Sequence, residues 1–124
     1  ADDSIEFVGR ISPEAVGRLL DGASCAAAPS RVAEAGSLAV LEALARGVPI
    51  IVAASGALPE LAGEGGWIFD TDEELRDALR RLPTEDLGAR SRSARSVYEV
   101  RFSPDRIMRT LIDVYEDAVA MAHS

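Results

Sequence analysis

Lysine is absent from this sequence. All thirteen basic residues are Arg, set against 21 acidic ones, and the net charge is −8. That balance argues against nucleic acid or an anionic membrane surface as a partner, so any phosphate must be held locally. The all-Arg usage stands beside abundant Ala and reads as compositional bias rather than as a binding device. Cysteine is nearly absent too: Cys25, in the apolar run Ser24-Cys25-Ala26-Ala27-Ala28, cannot form an intramolecular disulfide. A reducing, cytoplasmic setting is expected, with the cytoplasmic face of a membrane as the alternative for the whole protein. No run approaches the ~18 apolar residues of a membrane span, and the first residues show no basic-then-apolar signal segment. Aromatic residues make up only 5%, while 48% of the 124 residues are hydrophobic and 27% charged. This is the composition of one folded α/β domain rather than of a disordered chain.

Short apolar runs recur between helical segments at residues 5–9, 24–28, 49–53 and 66–69, each too short for a helix and bounded by Gly, Pro, Ser or Asp. The alternation predicts a parallel sheet flanked by helices. Ser12 followed by Pro13 suits a helix cap and first helical position, with Gly22 as the stop. A second helix is expected from Ser37 to Gly47, before Pro49. A third opens on a capping box, Thr71 with Glu74, and carries Leu75, Ala78, Leu79 and Leu82 on one face. Residues 84–100 read as one helix, and Ser103-Pro104 starts another with an apolar stripe of Ile107, Leu111, Val114, Tyr115 and Ala118.

Chemistry concentrates between Glu34 and Glu42. The helix from Ser37 to Ala45 is apolar nearly all round, with Glu42 as its lone charge. Glu42 shares a stripe with Leu38 and Ala45, and that stripe is expected to face the interior. A buried carboxylate needs hydrogen-bond donors, an Arg, or access to a cleft. Glu34 lies in the preceding loop, with seven residues between it and Glu42. The small residues Ala35, Gly36 and Ser37 permit close approach to a helix start whose free N–H groups attract phosphate oxygens. In an open parallel sheet such a loop lies at the carboxyl ends of the strands, where ligands bind. Amides for phosphate and carboxylates for hydroxyls suit a sugar nucleotide. The alternative is structural: Glu34 is a solvated loop acid, and Glu42 pairs with a structural Arg, for instance Arg46 one turn later.

The run Pro29-Ser30, Glu34, Glu42-Ala43-Leu44-Ala45, Gly47-Val48-Pro49-Ile50, Ser55-Gly56-Ala57-Leu58-Pro59-Glu60 resembles the C-terminal lobe of retaining glycosyltransferases of the GT-B fold, group 1 type. Phe7-Val8-Gly9, Asp72 to Leu75, and Phe102-Ser103-Pro104 leading to Val114-Tyr115-Glu116 extend the likeness over essentially the whole chain. The resemblance implies a Rossmann-like parallel sheet forming part of that lobe, and transfer of a sugar from a nucleotide-diphosphate sugar to a hydroxyl of a glycan, lipid or small-molecule acceptor. No metal or other cofactor is expected. By family role Glu34 would be the catalytic residue, contacting donor-sugar hydroxyls at the reaction centre, and Glu42 would hold the ribose hydroxyls. The amides of Gly36, Ser37 and Leu38 would face the diphosphate or sugar, while Gly9 and Arg10 would lie near the base. Gly56 is expected either to allow close backbone approach in the same cleft or only to make a turn. The chain departs from the family at Gly36-Ser37, where Phe-Gly is frequent.

The resemblance also implies a missing N-terminal lobe, without which these residues should not catalyse, and missing strands that would carry the Arg and Lys neutralising the diphosphate. The strand at 5–9 must then re-pair, associate between chains or fray. Self-association is expected, with the final helix contributing. Two other functions compete: a non-catalytic binding or scaffold module on a GT-B lobe, and a GT-B sugar-nucleotide epimerase. Glu60 is expected to cap or order its loop, Trp67 to anchor a strand end, Cys25 to lie in the core, and His123 to be solvated.

Overall fold

A computed structural model describes residues 3–30 and 37–123. Glu34 and Gly36 lie outside the described residues. Three strands, β1 (Ala26–Ala28), β2 (Ile50–Ala53) and β3 (Gly66–Phe69), form a parallel sheet in the order β1-β2-β3. Ala26 stands opposite Ile50 and Ile50 opposite Gly66, so the three strands run in step. Every residue of β2 is buried, as expected of a central strand covered on both faces. Gly66 fixes the approach of β3: a Cβ there would lie 1.7 Å from the Ile50 carbonyl oxygen.

Helices connect the strands as the parallel arrangement requires. Helix α1 (Pro13–Asp21) is capped by Ser12 and ends at Gly22. Helix α2 (Leu38–Ala45) is capped by Ser37 and ends at Arg46. A short helix, α3 (Leu58–Ala62), precedes β3, and α4 (Asp72–Arg81) follows it under the cap of Thr71. The capping box is relayed by one residue. Thr71 Oγ1 accepts from Glu74 N at 3.2 Å, while Glu74 Oε2 accepts from Asp70 N at 2.6 Å rather than from Thr71. The core gathers Val40 and Leu44 of α2, Ile50, Ile51 and Val52 of β2, and Leu58 of α3.

Two expectations need correction. Residues 5–9 form no strand: Ile5 and Phe7 are 58% and 85% exposed. Extended backbone needs a neighbour to take up its N–H and C=O groups, and β1 pairs with β2 alone among the described residues. Residues 84–100 are not one helix. A 3₁₀ turn (Leu82–Thr84) containing Pro83 is followed by α5 (Leu87–Val97), which starts afresh because Asp86 Oδ1 accepts from Ala89 N at 3.0 Å. A π turn (Tyr98–Phe102) then leads into α6 (Pro104–Ala122), capped by Ser103. Helix α3 itself was not anticipated, since five residues carry too little periodicity to read. No helix among the described residues is long and apolar enough to cross a membrane.

Candidate functional site

The carboxyl ends of all three strands open on one edge of the sheet, which is where an open parallel α/β unit binds ligands. Pro29 and Ser30 leave β1, Ala54 and Ser55 leave β2, and Asp70 leaves β3. Between them lies a cavity of about 480 Å³, with Ser30, Ser55, Asp70 and Asp72 around an apolar floor of Ala53, Phe69 and Leu75. Sequence reasoning did not single out Asp70 or Ser55 as lining residues. The available signal was position alone: each directly follows a strand on the ligand-binding edge.

Helix α2 starts at the same edge, after the segment that leaves β1. Ser37 Oγ accepts from Val40 N at 3.4 Å, and Ser37 O accepts from Leu41 N at 3.3 Å. The N–H groups of Leu38 and Ala39 come too early in the helix to have an intrahelical acceptor. They are the donors that the α2 start presents. Ser37 thus shapes this turn with its side chain while its helix presents the dipole.

Glu42 is not on the buried face. Leu38, Glu42 and Ala45 do form one stripe, but Leu38 is 76% exposed and Glu42 is exposed with it. The interior takes the neighbouring stripe, Val40, Ala43 and Leu44. In a helix apolar on nearly all sides, packing against β2 and α5 decides which face turns inward, and a carboxylate left outward avoids desolvation. Arg46, the structural partner named for Glu42, is engaged elsewhere. Arg46 turns away to Asp21, whose two carboxylate oxygens lie 2.8 and 2.9 Å from Nη1. Among the described residues nothing forms an ion pair with Glu42.

The remaining candidates are distributed unevenly. Gly56 follows β2 on the ligand-binding edge and has φ 54°, a left-handed conformation that favours glycine. Gly9, at φ 66°, and the exposed Arg10 lie in the unpaired segment before α1, and no ion pair holds Arg10 to the α2 edge among the described residues. The Glu60 side chain does not cap α3; its carbonyl oxygen instead accepts from Arg101 Nη1 at 2.7 Å. Trp67 packs against the core with the Arg90 guanidinium 4.7 Å from its ring centre, which fits an anchor. Cys25 packs against the core, and burial pushes its thiol up from 9.0 to about 11. It is a poor nucleophile. His123 is exposed at the end of α6.

Comparison with known proteins agrees with this geometry. The pattern of the family described as Glycosyl transferases group 1 matches residues 1–99. D-inositol 3-phosphate glycosyltransferase from Nocardioides sp. is 33% identical over 121 residues, which are 94% of this chain and 26% of that protein. MMP alpha-(1->4)-mannosyltransferase from Mycolicibacterium hassiacum is 34% identical over 126 residues, 95% of this chain and 30% of that protein. Among solved structures, sucrose-phosphate synthase from Thermosynechococcus elongatus matches with a TM-score of 0.79 at 25% identity, covering 96% of this chain and 31% of that one. The chain therefore spans 26% to 31% of the length of these proteins.

Proposed function

This chain belongs to the glycosyl transferases group 1 family, and we propose that the whole protein uses it as the donor-binding part of a retaining GT-B glycosyltransferase. The reaction is transfer of a sugar from a nucleotide-diphosphate sugar to an acceptor hydroxyl, without a bound metal. The observation that carries the reading is the state of Glu42, exposed on the helix that starts at the strand-end edge and with no ion pair among the described residues. A carboxylate so placed can accept from two vicinal hydroxyls of a ribose. The α2 start supplies what the phosphates need, the N–H groups of Leu38 and Ala39 together with the positive end of the helix dipole.

Glu34 is assigned to the donor-sugar hydroxyls at the reaction centre, the amides of Gly36 and Ser37 to the diphosphate or sugar, and Gly56 to close backbone approach in the same cleft. Gly9 and Arg10 are assigned to the base. Two lobes are needed to bring donor and acceptor together, so these residues alone should bind nucleotide weakly and not turn over.

The test uses the whole protein. Uridine, guanosine and adenosine diphosphates are titrated by calorimetry, and Glu42→Gln is compared with the unaltered protein for the preferred one. Loss of a charged hydrogen-bond acceptor should weaken binding about 10- to 100-fold; unchanged affinity removes Glu42 from the ribose. Glu34→Gln should lower turnover more than affinity, and full turnover in that variant contradicts its assignment. An epimerase would instead yield an altered sugar with no acceptor consumed.

A further inference from the structure

We propose that the cavity between α5 and the turn leading into β3 binds a small phosphorylated polyol. The cavity has a volume of about 530 Å³ and is lined by Glu64 on that turn and by Arg92, Ser93, Ser96, Val97 and Arg101 on α5 and the π turn. Helix α5 runs along the amino edge of the sheet. A Cβ on Gly47, ahead of β2, would lie 3.0 Å from Ser91 Oγ, and one on Gly65, ahead of β3, would lie 3.4 Å from Ala94 Cα. The cavity therefore lies at the edge opposite the carboxyl ends of the strands, where donor and acceptor are proposed to meet. It is a separate site.

The walls select the ligand. In a chain of net charge −8, this cavity sets two guanidinium groups against a single carboxylate. Arg101 is fixed in advance: its Nη1 donates to Glu60 O at 2.7 Å, and a Cβ on Gly63, whose φ is 52°, would sit 3.1 Å from the same nitrogen. One bond to a carbonyl leaves the rest of that guanidinium's donors for an oxyanion. Arg92, Ser93 and Ser96 have no hydrogen-bond or ion-pair partner among the described residues. Helical spacing places all three on one face of α5. A phosphate has three terminal oxygens to take donors from two guanidinium groups and two hydroxyls, where a carboxylate has only two. Glu64 opposes a bare anion but accepts from a hydroxyl, so the ligand that suits every wall is a phosphate ester with hydroxyl groups beside it.

Calorimetric titration of glycerol 3-phosphate into the whole protein tests this, with the donor site saturated by the preferred nucleoside diphosphate. Binding with a Kd of roughly 10 µM to 1 mM is expected, with inorganic phosphate about tenfold weaker and glycerol giving no heat. Arg92→Gln, which breaks no contact among the described residues, and Arg101→Gln should each weaken glycerol 3-phosphate about tenfold. Glu64→Gln should narrow the gap between the ester and inorganic phosphate, and Glu42→Gln should leave both unchanged. Absence of binding, or binding that neither Arg variant weakens, overturns the proposal. So does binding that the nucleoside diphosphate abolishes, since the probe would then occupy the donor site. Inorganic phosphate binding as tightly as the ester removes the polyol from the assignment. Should no nucleoside diphosphate bind, the donor reading fails by itself, and the two Arg variants still decide this site.

Discussion

Arg46 Nη1 reaches both carboxylate oxygens of Asp21, tying the end of α2 to the end of α1 across 25 residues of sequence. The guanidinium lies over Gly17, where a Cβ would come within 2.4 Å of Nη2. The same bond takes Arg46 from Glu42, one turn earlier on α2. A structural tie between two helices thus leaves Glu42 without Arg46 as a partner.

That tie should be weak in free energy. The two side chains are 41% and 60% exposed, so Asp21→Asn is expected to cost no more than ~1 kcal/mol, with the cost fading in ~1 M salt. Urea unfolding of the two proteins at low and high salt measures it. A loss of several kcal/mol that persists in salt would mean the helix junction depends on more than the ion pair.

Glu42 should be dispensable for folding. Because it is exposed and unpaired by any described cation, Glu42→Gln is expected to change stability by less than ~0.5 kcal/mol while weakening nucleotide binding in the whole protein. A melting curve beside the nucleotide titration separates the two effects. A large drop in melting temperature would return Glu42 to a structural role.

Gly66 and Gly88 should respond in opposite directions to alanine. At Gly66 the new Cβ meets the Ile50 backbone, with 1.7 Å to the oxygen and 2.6 Å to the carbon, so β2 and β3 must separate and Gly66→Ala should cost several kcal/mol. At Gly88, in the first turn of α5, the nearest atom is 3.4 Å away and belongs to the Asp86 side chain. Gly88→Ala should stabilise by up to ~1 kcal/mol. Equal effects at both positions in urea unfolding would contradict the strand spacing.

Cys25 sets a pH dependence. Its thiol is raised by burial to about 11 from 9.0, so the folded protein holds the proton where the unfolded chain releases it. Its contribution is therefore complete below pH 9 and lost as pH rises from 9 to 11. Cys25→Ala should flatten that decline, followed by urea midpoints across the range. Alkylation by iodoacetamide at pH 8 should be slow in the native protein and fast in denaturant; equal rates would show the thiol to be open.

Local chemistry determined a large part of this protein. Ser12, Ser37, Thr71 and Ser103 cap the helices that their sequence context predicts, because a cap needs only its own first turn. The apolar runs that became β1, β2 and β3 and the Thr71–Glu74 signal were legible for the same reason. So was the grouping of Leu38, Glu42 and Ala45 on one stripe, which helix geometry fixes by itself.

What the sequence could not decide was which stripe turns inward. An all-round apolar helix offers several equivalent faces, and the choice fell to Val40, Ala43 and Leu44 through packing against β2 and α5, leaving Glu42 outside. The competition for Arg46 was settled the same way, because Asp21 becomes its neighbour only once α1 and α2 are brought together. Residues 5–9 have strand composition yet no partner in the sheet among the described residues, since pairing is a property of two segments and not of one. Periodicity gave the final helix its stripe, but only the tertiary structure decided that α6 leaves the sheet with that stripe uncovered.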